Sequence, residues 1–421
     1  MDINKLLKGV DCKCGKFHAC SIEYVYVEKN AISRLTDMCK GVNKILVVAD
    51  ENTYAAAGEK VEKALADKDL RKTVFTGKTV LIPNEAAIER VTNDLKDAEL
   101  IIGIGSGVIQ DLCKYVSFES GVPYYIVATA PSMDGYASNG AAMITDGMKV
   151  TYSAKVPSAI IADTEVIKDA PMEMIVAGYG DIIGKYSALN DWKLSHIVND
   201  EYFCQYIYDL TFDMLKKTLP LSKKLLDRDE ESIKILMEAL IVVGIAMSFA
   251  TTSRPASGSE HHLSHYFEIT GIIDNKDYFP HGIDVVYSTA VTAKLRDEII
   301  NCEFPAVQFI PERSEYEKEM ARVYKTVADG CIALQDKMGR YAESRIEIYK
   351  ANEQKIKETL SEMPRYSEII EILNSVNLDI NDFNNMYGEQ KINDAITYAK
   401  DLKDRYTVLW LYYDLFGKKE N

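Results

Sequence analysis

The pattern of hydrophobic and polar positions changes character near residue 170. Before it, short apolar runs alternate with segments of helical spacing. Lys44-Ile-Leu-Val-Val-Ala-Asp50 closes on an acid, and Thr79-Val-Leu-Ile lies inside a strand-like stretch from Val74 to Pro83. Leu100-Ile-Ile-Gly-Ile-Gly105 runs into glycines, and Tyr124-Tyr-Ile-Val-Ala-Thr129 repeats the pattern. Residues 59–69, 86–97 and 107–118 space their apolar positions as helices do. This β-α-β rhythm predicts a Rossmann-like parallel sheet covered on both faces. After Ala170 helical patterns dominate, and Pro171 suits a first helical turn, where its missing N–H does no harm. The expectation is an α/β domain over residues 1–170 and an all-α domain over 171–421. The charged stretch from Pro311 to Tyr366, for example Arg340 to Glu358, predicts a solvated helix or helix pair.

Composition narrows the class. The chain has 421 residues, 47% of them hydrophobic and 27% charged, which is ordinary for a globular protein able to bury a large core. A formal net charge of -15 argues against nucleic acid or an anionic membrane surface as partner, while leaving room for a small anionic substrate in a local site. The N-terminus has no basic-then-apolar pattern. The longest uncharged apolar stretch, Ala239 to Ala250, is too short to span a bilayer, so a cytoplasmic protein without membrane insertion is expected. Eight cysteines are scattered as reduced thiols would be. Cys12-x-Cys14, with His18 and Cys20 nearby, has the look of a metal knuckle. No second pair completes it, so a strand and turn carrying thiols is the plainer reading.

Three segments carry candidate chemistry. Gly103-Ile-Gly-Ser-Gly107-Val-Ile-Gln-Asp111 follows a strand and opens a helix, where free N–H donors and the positive dipole end suit a phosphate. A tight strand-to-helix turn would need glycine in any case. Asp50, at the end of the first strong strand, could hydrogen-bond an adenosine ribose and disfavour a 2′-phosphate, or it could cap the next helix. Acid first and glycines later reverses the usual dinucleotide fingerprint. Thr129-Ala-Pro-Ser132-Met-Asp134-Gly-Tyr-Ala-Ser138 suits a ligand loop or simple turn chemistry. Four of the six histidines fall between His261 and His281. His261 and His265 share a helix face, and His281 opens the next helix. Asp181, in an apolar helical segment, is costly unless paired with Lys185 or ligated. Two imidazoles and a carboxylate would leave one metal position open, as catalytic sites do.

Together these segments resemble the glycerol-1-phosphate dehydrogenase family, of the dehydroquinate synthase-like and iron-containing alcohol dehydrogenase superfamily. The resemblance runs from Cys12-Lys-Cys-Gly-Lys-Phe-His18 to His281-Gly282, through Gly105 to Asp111, Thr129 to Ser138, Ala177 to Lys185, and Ser253 to His265. It is nearer to the long bacterial members than to the archaeal ones. It implies an α/β NAD-binding domain and a helical metal- and substrate-binding domain. It also implies reversible reduction of dihydroxyacetone phosphate to sn-glycerol 1-phosphate at the interdomain cleft, a step of phospholipid metabolism. Asp181, His261 and His281 would hold zinc or nickel, with iron as the alternative. Asp50, Gly107, Val108, Ile109, Gln110, Asp111, Thr129, Ala130, Pro131, Ser132 and Ser138 would bind NAD, with NADP as the alternative. Asp134, Asp181 and His265 would meet the substrate, His265 and Asp181 as catalytic groups. His262 falls outside the metal ligands or touches the phosphate, for which Lys185 and Arg254 are further candidates. A homodimer is expected. A polyol dehydrogenase is the near alternative and a non-catalytic NAD- or metal-binding protein the distant one. A lyase of the dehydroquinate synthase kind is disfavoured by Gln110.

Overall fold

The computed structural model describes residues 2–78, 81–145 and 148–419. Six strands form one parallel sheet: β1 (Tyr24–Glu28), β2 (Lys44–Asp50), β3 (Asp69–Phe75), β4 (Leu100–Gly105), β5 (Tyr124–Ala128) and β6 (Ala159–Asp163). Their order across the sheet is β1-β6-β5-β4-β2-β3. Helices α1 (Glu51–Ala64), α2 (Glu85–Leu95) and α3 (Gly107–Ser120) make the crossovers. The residues of β4 and β6 are buried throughout, as central strands covered on both faces must be. From β2 the chain winds outward to β3, and from β4 it winds the other way to β5 and β6. The switch point therefore lies between the carboxyl ends of β2 and β4, where open α/β sheets bind ligands.

Three expectations need correction. The strand read from Val74 to Pro83 instead runs Asp69–Phe75, with Thr79 and Val80 outside the described residues. It is an edge strand with Thr73 and Phe75 buried, and its charges face outward. Arg71 reaches the Asp94 and Leu95 carbonyls and pairs with Asp97, so the apolar signal is weak. The helix read over 59–69 begins at Glu51 and ends at Ala64. The stretch Arg340 to Glu358 is not one helix: Gly339, with φ +62, ends Ala328–Met338, and Ile346–Ala351 and Glu353–Leu360 follow. Nor is it merely solvated, because Ile346, Tyr349 and Ile356 are buried. Strands β1 and β6 and an antiparallel hairpin, Gly140–Thr145 with Met148–Ser153, add to the predicted elements.

Among the described residues no strand follows Asp163. The helices that matter below are α4 (Met172–Ile183), α5 (Lys185–Asn199), α6 (Glu230–Ala250), α7 (Ser259–Asp274) and α8 (His281–Ile300). The compact units do not divide where the texture changes. One is Met1–Ile182 with Lys216–Thr252, and the other Ile183–Leu215 with Ser253–Asn421. Helix α6 thus belongs with the sheet. It is long and apolar enough to cross a membrane by composition, yet 78% of its most apolar window is buried inside the fold, as in a core helix.

In the helical unit a buried carboxylate ties the elements together. Asp191 of α5 accepts from the Ser259 amide at 2.6 Å, the Val408 amide at 2.9 Å and the Arg296 guanidinium at 2.7 Å. It thereby joins the start of α7, the body of α8 and the helix Val408–Phe416. A buried charge with this many donors is compensated where a lone one would not be.

Candidate active site

At the switch point the first unit holds a cavity of about 1030 Å³, whose wall includes Asp50, Ser106, Val108, Ile109, Thr129 and Ala130. Ser106 precedes α3, and its side chain makes no capping bond, so the first-turn amides of Gly107, Val108 and Ile109 receive no cap from it. A helix N-terminus of this kind accepts a phosphate. Asp50 does cap its helix: it accepts from Asn52 N at 2.8 Å and Thr53 N at 2.9 Å in a capping box. Both readings of Asp50 are compatible, since it also lines the cavity. Lys60 and Lys78 line the same cavity and were not anticipated. Asp50→Ala is expected to cost about 1 kcal/mol of stability through the lost cap. It should also raise the preference for NADPH over NADH roughly tenfold, because a carboxylate that repels a 2′-phosphate is removed from the cavity wall. Thermal melts and the two kcat/KM values check this.

Two residues expected at the cofactor also make bonds within the fold. Gln110 is fully buried and donates to the Gly135 and Tyr136 carbonyls at 2.9 Å each. Asp111 pairs with Lys114 at 3.4 Å. Lys114, which sequence reasoning missed, is also fully buried and donates to the Gly140 carbonyl at 2.7 Å, the Gly135 carbonyl at 3.2 Å and the Ser138 hydroxyl at 3.4 Å. Burial pushes its ammonium below the ordinary lysine range, against the pull of Asp111. Helix α3 thus fixes the loop that carries Pro131, Ser132, Asp134 and Ser138. Two glycines press on the same loop. A Cβ at Gly178 of α4 would overlap the Pro131 carbonyl oxygen, and one at Gly244 of α6 would lie 2.9 Å from the Asp134 carbonyl oxygen. The Asp134 amide donates to Asp181 Oδ2 at 2.9 Å.

Asp181, His261 and His281 each offer one ligand atom, all within 4.8 Å of one another. Asp181 is fully buried and His261 is 5% exposed. His261 Nδ1 lies 2.6 Å from Glu260 Oε1, which leaves Nε2 as the ligand nitrogen. Burial raises the Glu260 carboxyl, but the His261 bond and the Gly258 amide outweigh it and hold the pKa below the ordinary value. Glu260 was also missed. Its neighbour in sequence was the signal, but sequence does not show that the carboxylate folds back onto the ring. His281 begins α8, with Ser264 Oγ 3.4 Å from its Nδ1. The turn before it is held by Tyr387, whose hydroxyl donates to Asp284 and accepts from the Phe279 amide at 3.1 Å. The His265 ring lies 6.1 Å from that of His261 and 5.6 Å from that of His281, centre to centre. One carboxylate and two imidazoles suit a zinc, nickel or iron ion.

His262 is fully buried, and neither ring nitrogen has a hydrogen-bond partner among the described residues. Burial holds its pKa well below the ordinary value. It presents no exposed atom to a phosphate, so that reading is set aside. Arg254 is buried against Glu201 at 2.6 Å and the Tyr406 carbonyl at 2.8 Å, and buried Lys185 donates to the Ala256 carbonyl at 3.0 Å.

Residues 26–171 match the iron-containing alcohol dehydrogenase family model. A probable glycerol dehydrogenase from Sinorhizobium meliloti superposes with a TM-score of 0.62 at 16% identity, covering 92% of this chain and 94% of that one. Sulfoacetaldehyde reductase from Bifidobacterium kashiwanohense, solved with NAD+, gives 0.61 at 14% identity over 94% and 98%. The fold is therefore that of the iron-containing alcohol dehydrogenases, a dehydroquinate synthase-like arrangement of parallel sheet and helices. The glycerol-1-phosphate dehydrogenase of Halalkalibacterium halodurans, named as NAD(P)+-using, is 35% identical over 306 residues, 70% of this chain and 77% of the relative. This chain belongs to the glycerol-1-phosphate dehydrogenase family.

Proposed function

We propose that this protein is an NAD(P)-dependent, metal-dependent oxidoreductase that interconverts dihydroxyacetone phosphate and sn-glycerol 1-phosphate. The observation that carries the reading is the grouping of Asp181, His261 and His281 within 4.8 Å in a chain of this family. When bound, the dinucleotide supplies the hydride that reaches C2, and the divalent ion supplies the electrophile that draws charge from the C2 carbonyl. The chain's own residues do the rest. The amides at the start of α3 and the wall around Asp50 and Thr129 orient the dinucleotide. Asp181 and the loop amide of Asp134 hold one another in place beside the substrate. His265 delivers the proton that the C2 oxygen takes up as the hydride arrives, a task an imidazole performs near neutral pH. The balance is ketone plus NADH plus proton to alcohol plus NAD+.

Glu260 fixes the tautomer and angle of His261, so Glu260→Gln should weaken metal retention about 10- to 100-fold while the fold is kept. Metal content after dialysis against graded chelator reads this directly. Zinc or nickel is the expected ion, with iron the alternative, and the working form is taken to be a cytoplasmic homodimer.

A polyol dehydrogenase is the second reading. It is favoured by one observation: Lys185 and Arg254, the cations considered for a phosphate, are both buried in structural bonds. NADH oxidation with dihydroxyacetone phosphate and with dihydroxyacetone separates the two. The proposal expects kcat/KM about a hundredfold higher for the phosphate ester, roughly 3 kcal/mol of charged hydrogen bonding. Equal values, or the reverse order, would assign the enzyme to free polyols.

A further inference from the structure

The N-terminal thiols, read from sequence as an incomplete knuckle, gain a fourth member from far along the chain. Cys12, Cys14, His18 and Cys204 each place one ligand atom within 4.8 Å of the other three. Cys20, the nearest cysteine in sequence, is not in the group. We propose that these four residues form a second metal site, structural in kind, that takes a zinc ion. It shares no residue with the Asp181, His261 and His281 set.

Three features support it beyond the grouping. The first is the donor set. Three thiolates and one imidazole around a tetrahedral ion is a structural zinc arrangement, and zinc–sulfur bonds of about 2.3 Å put the donors roughly 3.8 Å apart. The observed spacing needs only a small inward movement to reach that. The second is the orientation of His18. Its ring is 1% exposed, and Nδ1 lies 3.1 Å from the Phe249 carbonyl. A carbonyl only accepts, so Nδ1 carries the proton. Nε2, the lone-pair nitrogen, faces Cys14 Sγ at 3.4 Å. Metal-bound imidazoles are characteristically oriented by such a bond from the other nitrogen. Stacking on the Phe249 ring, 5.6 Å between centres, further restricts it.

The third feature is the backbone. Val10–Asp11 and Phe17–His18 form a short antiparallel hairpin. The Cys12 amide donates to the Lys16 carbonyl at 3.1 Å, and the Gly15 amide donates to the Cys12 carbonyl at 3.0 Å. Gly15 sits at φ +84, a conformation that a glycine adopts without strain. A two-strand hairpin this short is not stable by its own hydrogen bonds. A metal joining it to Cys204 supplies what the ladder lacks, because metal binding to a structural site is folding free energy.

Cobalt substitution in the full-length protein tests the proposal. After the native ions are removed, Co²⁺ loading should produce the near-ultraviolet thiolate-to-cobalt charge-transfer band, which the oxygen and nitrogen donors of Asp181, His261 and His281 cannot give. Cys14→Ser and Cys204→Ser should each abolish or strongly reduce the band and lower the zinc content of the isolated protein by one ion per chain. Cys20→Ser should leave both unchanged. Cobalt-loaded unmodified protein without that band overturns the proposal whatever the variants do. A band and zinc content that survive Cys204→Ser overturn it as well.

Discussion

His281→Ala should lower kcat for ketone reduction about a thousandfold while leaving NADH binding within a factor of about two. The size follows from what a three-donor site does. A divalent ion polarising a carbonyl is worth several kcal/mol of transition-state charge, and about 4 kcal/mol corresponds to a factor of a thousand. Two donors retain an ion far less well than three, so the variant loses occupancy as well as geometry. The cavity proposed for the cofactor is walled by Asp50, Val108, Ile109, Thr129 and Ala130, with no histidine among the described residues of its lining, so NADH affinity should not follow. Steady-state kinetics beside a fluorescence titration with NADH measures the two quantities. A variant that turns over normally would show that the imidazole is a packed helix-start residue and nothing more.

The second large effect is expected from Gly178→Ala. Its added Cβ would fall far inside van der Waals contact distance of the Pro131 carbonyl oxygen, with Leu240 Cδ1 also close at 3.2 Å. The obstacle is backbone, so no rotamer change relieves it. Either α4 or the loop from Thr129 to Ser138 must move. Overpacking of this kind costs about 1–3 kcal/mol of stability. The functional cost should be larger, because Asp181 lies on α4 and its Oδ2 accepts from the Asp134 amide of that same loop. Displacement by about 1 Å at such a junction costs on the order of a hundredfold in rate. Denaturant melts and kcat/KM together check this. A variant as stable and as fast as the unsubstituted enzyme would mean that the loop is free to shift without consequence.

Legibility in the sequence followed burial on both faces. Ile45 to Ala49 and Leu100 to Gly105 are continuous apolar runs because both faces of these strands are covered, and the sequence reads them correctly as strands. Asp69–Phe75 was misplaced because an edge strand carries its charges in the open. Tyr24–Glu28, also at an edge, has Tyr24 43% exposed, and its alternation was overlooked. The helix starts at His281 and Gly107 were readable from proline and glycine chemistry. Long-range partners were not. Lys114, three residues after Asp111, reads as a surface ion pair, yet it is buried under a loop. Cys204 has no neighbour in sequence to suggest that it meets Cys12, Cys14 and His18. The roles given to Asp181, His261 and His281 rested on resemblance as much as on spacing.

The most direct test is an anomalous-scattering map from crystals of the active, metal-loaded enzyme, recorded at the absorption edge of the ion found in solution. The account expects a strong peak within bonding distance of a carboxylate oxygen of Asp181, Nε2 of His261 and an imidazole nitrogen of His281. No peak among these three side chains, in crystals that retain full turnover on dissolution, would contradict it.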